Sequence, residues 1–277
     1  MGGASSVLSE PWRQLPQNNK ANLDFVKSYQ PRNKEVKHLR ILLHGPVGAG
    51  KSSFINSVDS VLQGRVTARV MTDAISGTSF TRKYASYKIR KEPMGHYSFI
   101  FNDIMGYEQH TNRGVHVEDV KMALRGHVKK HYEFIPGRPL KEGDLDYNSS
   151  PTLDDRVHVL VCAIPAASVS IISDDVVKKM REVRLAASDA GIPQLVIITK
   201  VDEACDEVRK DIKNVYKSIY LKEQVDKIHN LLGIPLNSIF LVKNYCSEIN
   251  VNDDVSALTL CALRQMLSFG EDFIDNL

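Results

Sequence analysis

The sequence predicts an α/β fold: a mixed, mostly parallel sheet with helices on both faces. Three observations predict it. From His38 onward, strand-like and helix-like patterns alternate, as a layered sheet requires. Residues 157–164 and 194–199 are nearly continuous apolar runs, the pattern of central strands covered on both faces. The glycine-rich turn at 45–52 stands between a strand pattern and a helix pattern. At 277 residues and 43% hydrophobic, the chain can also bury a full core.

Taken in order, residues 1–36 are polar and punctuated by Pro11, Pro16 and Pro31, which reads as an extension packed against a domain at 37–277. A short helix is expected over 19–29, carrying Leu23, Val26 and Tyr29, with Trp12 anchoring the extension in a groove. Residues 40–43 read as a buried strand. A helix at 51–63 follows, with Phe54, Ile55, Val58 and Leu62 on one face and Gly64 ending it. Strands at 79–90 and 96–103 flank the turn at 91–95 as a hairpin, so one strand runs antiparallel. The segment 133–153, rich in Pro, Gly, Asp and Asn, reads as a long flexible loop within an insert near 107–155. Ser173 caps a helix with Val176, Met180 and Val183 inward, and Gly191 stops it. A helix over 206–220 and a second one running to Leu232 precede a last strand at 238–242 and a closing helix at 253–268.

Composition excludes several classes. Thirty-six basic and 33 acidic residues leave a formal net charge of +3, which gives no case for nucleic acid. No apolar stretch reaches the roughly 18 to 20 residues of a membrane span, and no secretory signal opens the chain. The four cysteines lack metal-ligand spacing, which suits a reducing, cytoplasmic setting. Gly2 fits the myristoylation pattern; a single acyl chain would give only weak membrane contact.

The chemistry concentrates in four motifs. Gly45-Pro46-Val47-Gly48-Ala49-Gly50-Lys51-Ser52 is a phosphate-binding P-loop: successive N–H groups and a helix N-terminus form an anion cradle. Val47, Gly48, Ala49, Gly50 and Ser53 are read as backbone donors, Lys51 as the cation for the β- and γ-phosphates, and Ser52 as a Mg²⁺ ligand. Asp103, followed by Gly106, ends a strand where a carboxylate holds Mg²⁺ through water and the glycine N–H meets the γ-phosphate. Thr78 and Thr81 both remain candidates for the Mg²⁺ shell. Thr199-Lys200-Val201-Asp202 closes an apolar strand, where the Asp202 carboxylate can accept both donors of guanine's Watson–Crick edge. A solvated turn with a helix cap at Asp202 is the competing reading. Lys243 and Asn244, after the last strand, are read as backbone donors to guanine O6.

Order and placement of these motifs resemble a small GTPase domain, which makes the expected fold P-loop GTPase-like and the cofactors GTP or GDP with Mg²⁺. The chain also resembles the interferon-induced protein 44 and 44-like family, through EPWR at 10–13, RILLHGPVGAGKSSFINSV at 40–58, NDIMGYE at 102–108, GHVKKHYEF at 126–134 and GIPQLVIITKVDE at 191–203. The resemblance implies a cytosolic, interferon-inducible GTP-binding protein of innate immunity. It does not extend to the N-terminal TLDc domain that members often carry.

Catalysis is less clearly written. Many GTPases orient the attacking water with a glutamine after the Asp-x-x-Gly glycine; Tyr107 stands here instead. Turnover is then expected to be slow unless Gln109, His110 or a partner supplies the missing group. Arg65 and Arg69 are read as a solvated face, and His127 with His131 as exposed or hydrogen-bonded histidines despite their i, i+4 spacing. The leading expectation is a GTP-dependent switch with an unknown protein partner. The alternatives are a GTPase activated by self-association, hence a homodimer, and a nucleotide-free scaffold.

Overall fold

The computed structural model of the chain describes residues 7–17, 19–70, 82–108 and 114–277. Six strands, β1 (Leu39–His44), β2 (Ala85–Arg90), β3 (His96–Asp103), β4 (Val159–Pro165), β5 (Gln194–Thr199) and β6 (Ile239–Leu241), form one sheet in the order β2-β3-β1-β4-β5-β6. Every pairing is parallel except β2 with β3, so the sheet is mixed and mostly parallel, as a P-loop GTPase-like fold requires. The helices are α1 (Asn19–Ser28), α2 (Lys51–Gln63), α3 (Val117–Leu124), α4 (Asp174–Asp189), α5 (Val201–Ala204), α6 (Asp206–Lys210), α7 (Ile219–Leu232) and α8 (Asp253–Ile274).

Period-2 alternation sends the strand side chains to two separate cores. Leu39, Ile41, Leu43, Phe99 and Phe101 meet Phe54 and Val58 of α2 and Leu263 and Met266 of α8 on one face. Leu42, Leu160, Cys162 and Ile198 meet Val120 of α3, Met180 of α4 and Ile228 of α7 on the other. These side chains are fully buried or nearly so, each contributing on the order of 1.5–3 kcal/mol of apolar transfer.

The expected helix boundaries hold where a cap fixes them. Gly64 ends α2 in the left-handed conformation, φ 68°, and the Ser173 hydroxyl accepts the Val176 N–H at the start of α4. Trp12 packs edge-on against Tyr216. The extension is further tied down by the buried Glu271 of α8, which accepts the Tyr29 hydroxyl at 2.5 Å and the Arg32 N–H at 2.9 Å.

Elsewhere the expectations need correction. Residues 206–220 are not one helix: α6 ends at Lys210, a 3-10 turn covers Ile212–Tyr216, and Ser218 caps α7. The apolar spacing is satisfied all the same, because Val208 and Val215 are buried from two separate turns. The closing helix runs six residues past 268, to Ile274, since nothing in its last turns breaks it. The first hairpin strand starts at Ala85, and β6 is only Ile239–Leu241. The 133–153 segment is the expected long loop up to the 3-10 turn that opens at Leu153, but it is pinned by hydrogen bonds: buried Asp119 accepts the Leu140 N–H at 2.7 Å, and His127 O accepts the Asn148 N–H at 2.7 Å. His127 and His131 share no helix face, because α3 stops at Leu124 and His131 adopts φ 72°.

Candidate functional site

Parallel pairing aligns the strand ends that carry the motifs. Leu43 pairs Asp103, His44 pairs Cys162, and Pro165 pairs Thr199, so the turns after β1, β3 and β5 leave one edge of the sheet. This is the edge where open α/β sheets bind ligands.

The turn after β1 is shaped by its glycines. Gly45 has φ 141°, and a Cβ there would sit 2.1 Å from Ala163 O, so only glycine lets the chain pass β4. Gly50, φ 77°, is the left-handed residue before α2, and its missing Cβ leaves room for Asn244. The first ladder bond of α2 is Phe54 N–H to Gly50 O, at 2.8 Å. The N–H groups of Lys51, Ser52 and Ser53 therefore precede the ladder and, with Gly48 in open space, offer an anion cradle. Two expected donors differ. The Val47 N–H donates to Tyr107 O at 3.1 Å and the Ala49 N–H to Pro46 O at 3.3 Å, because the loop folds against the segment following Asp103 and back on itself.

Lys51 is buried, its Nζ donating to Pro46 O at 3.3 Å. Desolvation lowers its pKa, opposed by the Asp103 carboxylate. A buried ammonium resting on one carbonyl is poised for an anion. Ser52 Oγ donates to Asp103 Oδ2 at 2.5 Å, so the two expected Mg²⁺ groups meet side by side. Hydroxyl plus carboxylate is a hard-oxygen donor set that fits this cation. Gly106 lies against the P-loop, where a Cβ would come within 2.6 Å of Val47 N. Thr78, Thr81, Gln109 and His110 lie outside the described residues.

On the other side, Thr199 Oγ1 donates to Ala49 O at 2.8 Å and Asn244 Nδ2 donates to Gly50 O at 3.1 Å. The Thr199-to-Asp202 segment is thereby fastened to the P-loop. Lys200 holds φ 57°, a left-handed conformation costing about 1 kcal/mol or more for a side-chain-bearing residue. Its Nζ lies 3.6 Å from Glu203. Asp202 Oδ2 faces Lys243 Nζ at 3.6 Å, and Lys243 also meets Glu248 at 2.9 Å. Burial pulls the Lys243 pKa down, but the hydrogen bond to Glu248 and the charge of Asp202 outweigh it and raise the value. The side chain of Lys243 thus does something its expected backbone role did not include.

Tyr107 is 1% exposed, and its hydroxyl meets Nδ1 of the buried His44 at 3.1 Å. Desolvation, with a lesser push from Lys51, lowers the His44 pKa to about 3, so the imidazole is neutral. Tyr107 therefore points into the core and has no reach toward a phosphate. Arg65 and Arg69 are exposed, as a solvated face requires, and Arg69 Nε also pairs with the buried Asp59 at 3.2 Å. Sequence reasoning missed Glu248, the partner of Lys243, and the Thr199 clamp on the P-loop. The position of Thr199 in the motif was the only available signal.

Interferon-induced protein 44 of Pan troglodytes is 33% identical over 259 residues, 93% of this chain and 58% of that protein. Interferon-induced protein 44-like of Homo sapiens is 31% identical over 253 residues, 91% of this chain and 56% of that protein. The chain is homologous to the interferon-induced protein 44 and 44-like proteins over about nine tenths of its length. It spans about three fifths of the length of these family relatives; the Mus musculus protein 44, 31% identical over 92% of this chain, is covered to 60%. No protein-family model matches. Among solved structures, the chain is similar to Toc33 from Arabidopsis thaliana in complex with GDP and Mg²⁺, with TM-score 0.45 and 15% identity over 95% of this chain and 94% of that one. It is also similar to a probable GTP-binding protein, engB, with TM-score 0.40 and 14% identity over 74% and 88% of the two chains. Among the described residues, no helix is long and apolar enough to cross a membrane.

Proposed function

We propose that the chain is a guanine-nucleotide-binding switch of the interferon-induced innate immune and antiviral response, cytoplasmic, with slow or partner-dependent hydrolysis. The observation that carries this reading is the clamp of Thr199 on Ala49, which joins the guanine-type motif to the P-loop on one sheet edge. Gly48, Gly50, Lys51, Ser52 and Ser53 would hold the phosphates. Ser52 and Asp103, completed by Thr78 or Thr81, would hold Mg²⁺, which neutralises phosphate charge when bound. Asp202 would accept guanine's N1–H and N2–H₂, beside the Lys200 stem and the Lys243–Asn244 backbone. Gly106 places the Asp-x-x-Gly turn against the P-loop, where an added phosphate would change the contact.

Calorimetric titration with GDP, GTP and ATP tests this. Guanine nucleotides should bind at least tenfold tighter than ATP, and Asp202→Asn should weaken GDP by roughly tenfold while favouring xanthosine nucleotides. Equal affinity for ATP and GTP would sink the guanine assignment. Single-turnover hydrolysis over a range of protein concentrations separates a slow switch from a GTPase activated by self-association. The second reading, a nucleotide-free scaffold, is favoured by the Lys243–Asp202 pair, which engages the base-reading carboxylate from within the chain. Failure of both guanine nucleotides to bind would select it.

A further inference from the structure

A second polar cavity lies far from the P-loop. Strand register sets Arg40, Ile100 and Lys88 side by side on β1, β3 and β2, all on the sheet face that the 126–148 segment covers. Backbone bonds from Tyr84 N–H to Tyr132 O, 2.7 Å, and from His131 N–H to Tyr84 O, 3.0 Å, fasten that segment over the sheet. Between them is a cavity of about 570 Å³, inside the range of small-molecule sites. Arg40, Lys88, Lys129, Lys130 and Asn148 line it, with Asp155 as its one acid. Gly45 is five residues along the chain from Arg40, roughly 17 Å at the rise of a strand. The cavity therefore belongs to the opposite end of β1 from the proposed nucleotide site.

Its charge is only partly compensated, by the electrostatic pull between Asp155 and Arg40. The half-buried Arg40 guanidinium donates to Asp154 O from Nε at 3.0 Å and Nη2 at 2.6 Å, and to Asn102 Oδ1 from Nη1 at 3.4 Å. Both acceptors are neutral. Among the described residues, no carboxylate makes an ion pair with Arg40, Lys88, Lys129 or Lys130. Lys129 Nζ rests on Leu145 O at 2.8 Å. Three of the five guanidinium N–H groups are used, which leaves two aimed elsewhere. Asp155 is already held by Thr152 in a capping box, with its oxygen on the Thr152 N–H and hydroxyl. Four cationic residues lining one small polar cavity, one of them carrying a guanidinium fork, suit a compact polyanion.

We propose that this cavity binds a small ligand carrying two or more phosphate groups, either a free polyphosphorylated metabolite or the headgroup of a phosphorylated inositol lipid. The chain's overall charge of +3 is too small for a broad electrostatic surface, so recognition rests on this local cluster.

Inositol hexakisphosphate is the probe for the shared chemistry, titrated calorimetrically into the whole chain without nucleotide. One site is expected. Lys88→Glu with Lys130→Glu, both exposed and outside any packed core, should weaken it by at least about tenfold. Lys51→Ala should leave it unchanged, since the P-loop is not involved. Lys178→Glu with Lys222→Glu, an equal charge change at exposed positions of α4 and α7, should have little effect. Absence of binding, equal affinity in the Lys88/Lys130 variant, loss in Lys51→Ala, or an equal loss in the control pair would each overturn the proposal. Circular dichroism and thermal unfolding confirm that each variant is folded. Cosedimentation with phosphatidylcholine vesicles, with and without phosphatidylinositol bisphosphate, assigns the source: capture that depends on both the lipid and Lys88/Lys130 indicates a headgroup, and calorimetric binding without capture a free metabolite.

Discussion

The P-loop end and the Thr199-to-Asp202 end of the same sheet edge differ in what they leave available. At the P-loop, glycines remove Cβ atoms, the helix start leaves N–H groups ahead of the ladder, and the Lys51 ammonium rests on a single carbonyl. At the other end, the carboxylate proposed to read the base already faces Lys243, which Glu248 holds in turn. The first is a cradle prepared for an anion. The second is a paired site, so a base must compete with an ion pair. On the proposed reading, the contrast teaches that phosphate affinity and base selectivity would be separable in this chain.

Four substitutions or conditions break or sharpen that contrast. Gly45→Ala should have the largest effect: strain and overlap with Ala163 O cost about 3 kcal/mol or more, lowering Tm by roughly 10 °C in calorimetry. An unchanged Tm would mean the P-loop is not fixed by its approach to β4. Lys51→Ala removes the buried cation and should weaken GDP and GTP alike by tenfold to about a hundredfold, with the ratio of GDP to ATP affinity unaltered. A change in that ratio would join the two ends functionally. Lys243→Met keeps the stem and removes the charge; GDP should bind a few-fold tighter because Asp202 is released. Weaker binding would show that the ammonium assists the base rather than competing with it.

The smallest effect is an acid-side titration confined to the base end. Burial pushes the Glu248 carboxyl up, but hydrogen bonds from Lys243 and from backbone N–H groups outweigh it and hold the pKa near 2, below the ordinary 4.5. A depressed carboxylate contributes stability that is fully present above about 4.5 and is lost as pH falls toward 2. Urea denaturation between these values should show a shallower loss in Glu248→Gln than in the unchanged chain. Identical slopes would remove Glu248 from the network.

Much of this edge was legible because it is local. A strand, a glycine turn and a helix are contiguous in residues 39–63, and the αL glycines, the cap at Gly64 and the apolar spacing follow from short-range sterics. The six strands were legible for the same reason. The 206–220 segment was not: its apolar spacing fits one helix, yet the chain breaks it into a short helix and a 3-10 turn while burying the same valines. Burial constrains which side chains face inward and leaves more than one backbone path open.

The sequence by itself determined the α/β class, the P-loop and its strand-to-helix setting, and the order of the motifs, since each is a pattern of neighbours. Only the tertiary structure decided what distant residues do to one another. It turned Tyr107 into the core against His44, committed the Val47 N–H to Tyr107, clamped Thr199 on Ala49, and set Lys243 between Asp202 and Glu248. It also gathered Arg40, Lys88, Lys129 and Lys130 around one cavity. Apart from Lys243 with Glu248, five positions away, these contacts join residues separated by tens to more than a hundred positions, and no local periodicity encodes them. They follow from strand register and from the two layers closing over the sheet, which fix distance and burial only once the whole chain has folded.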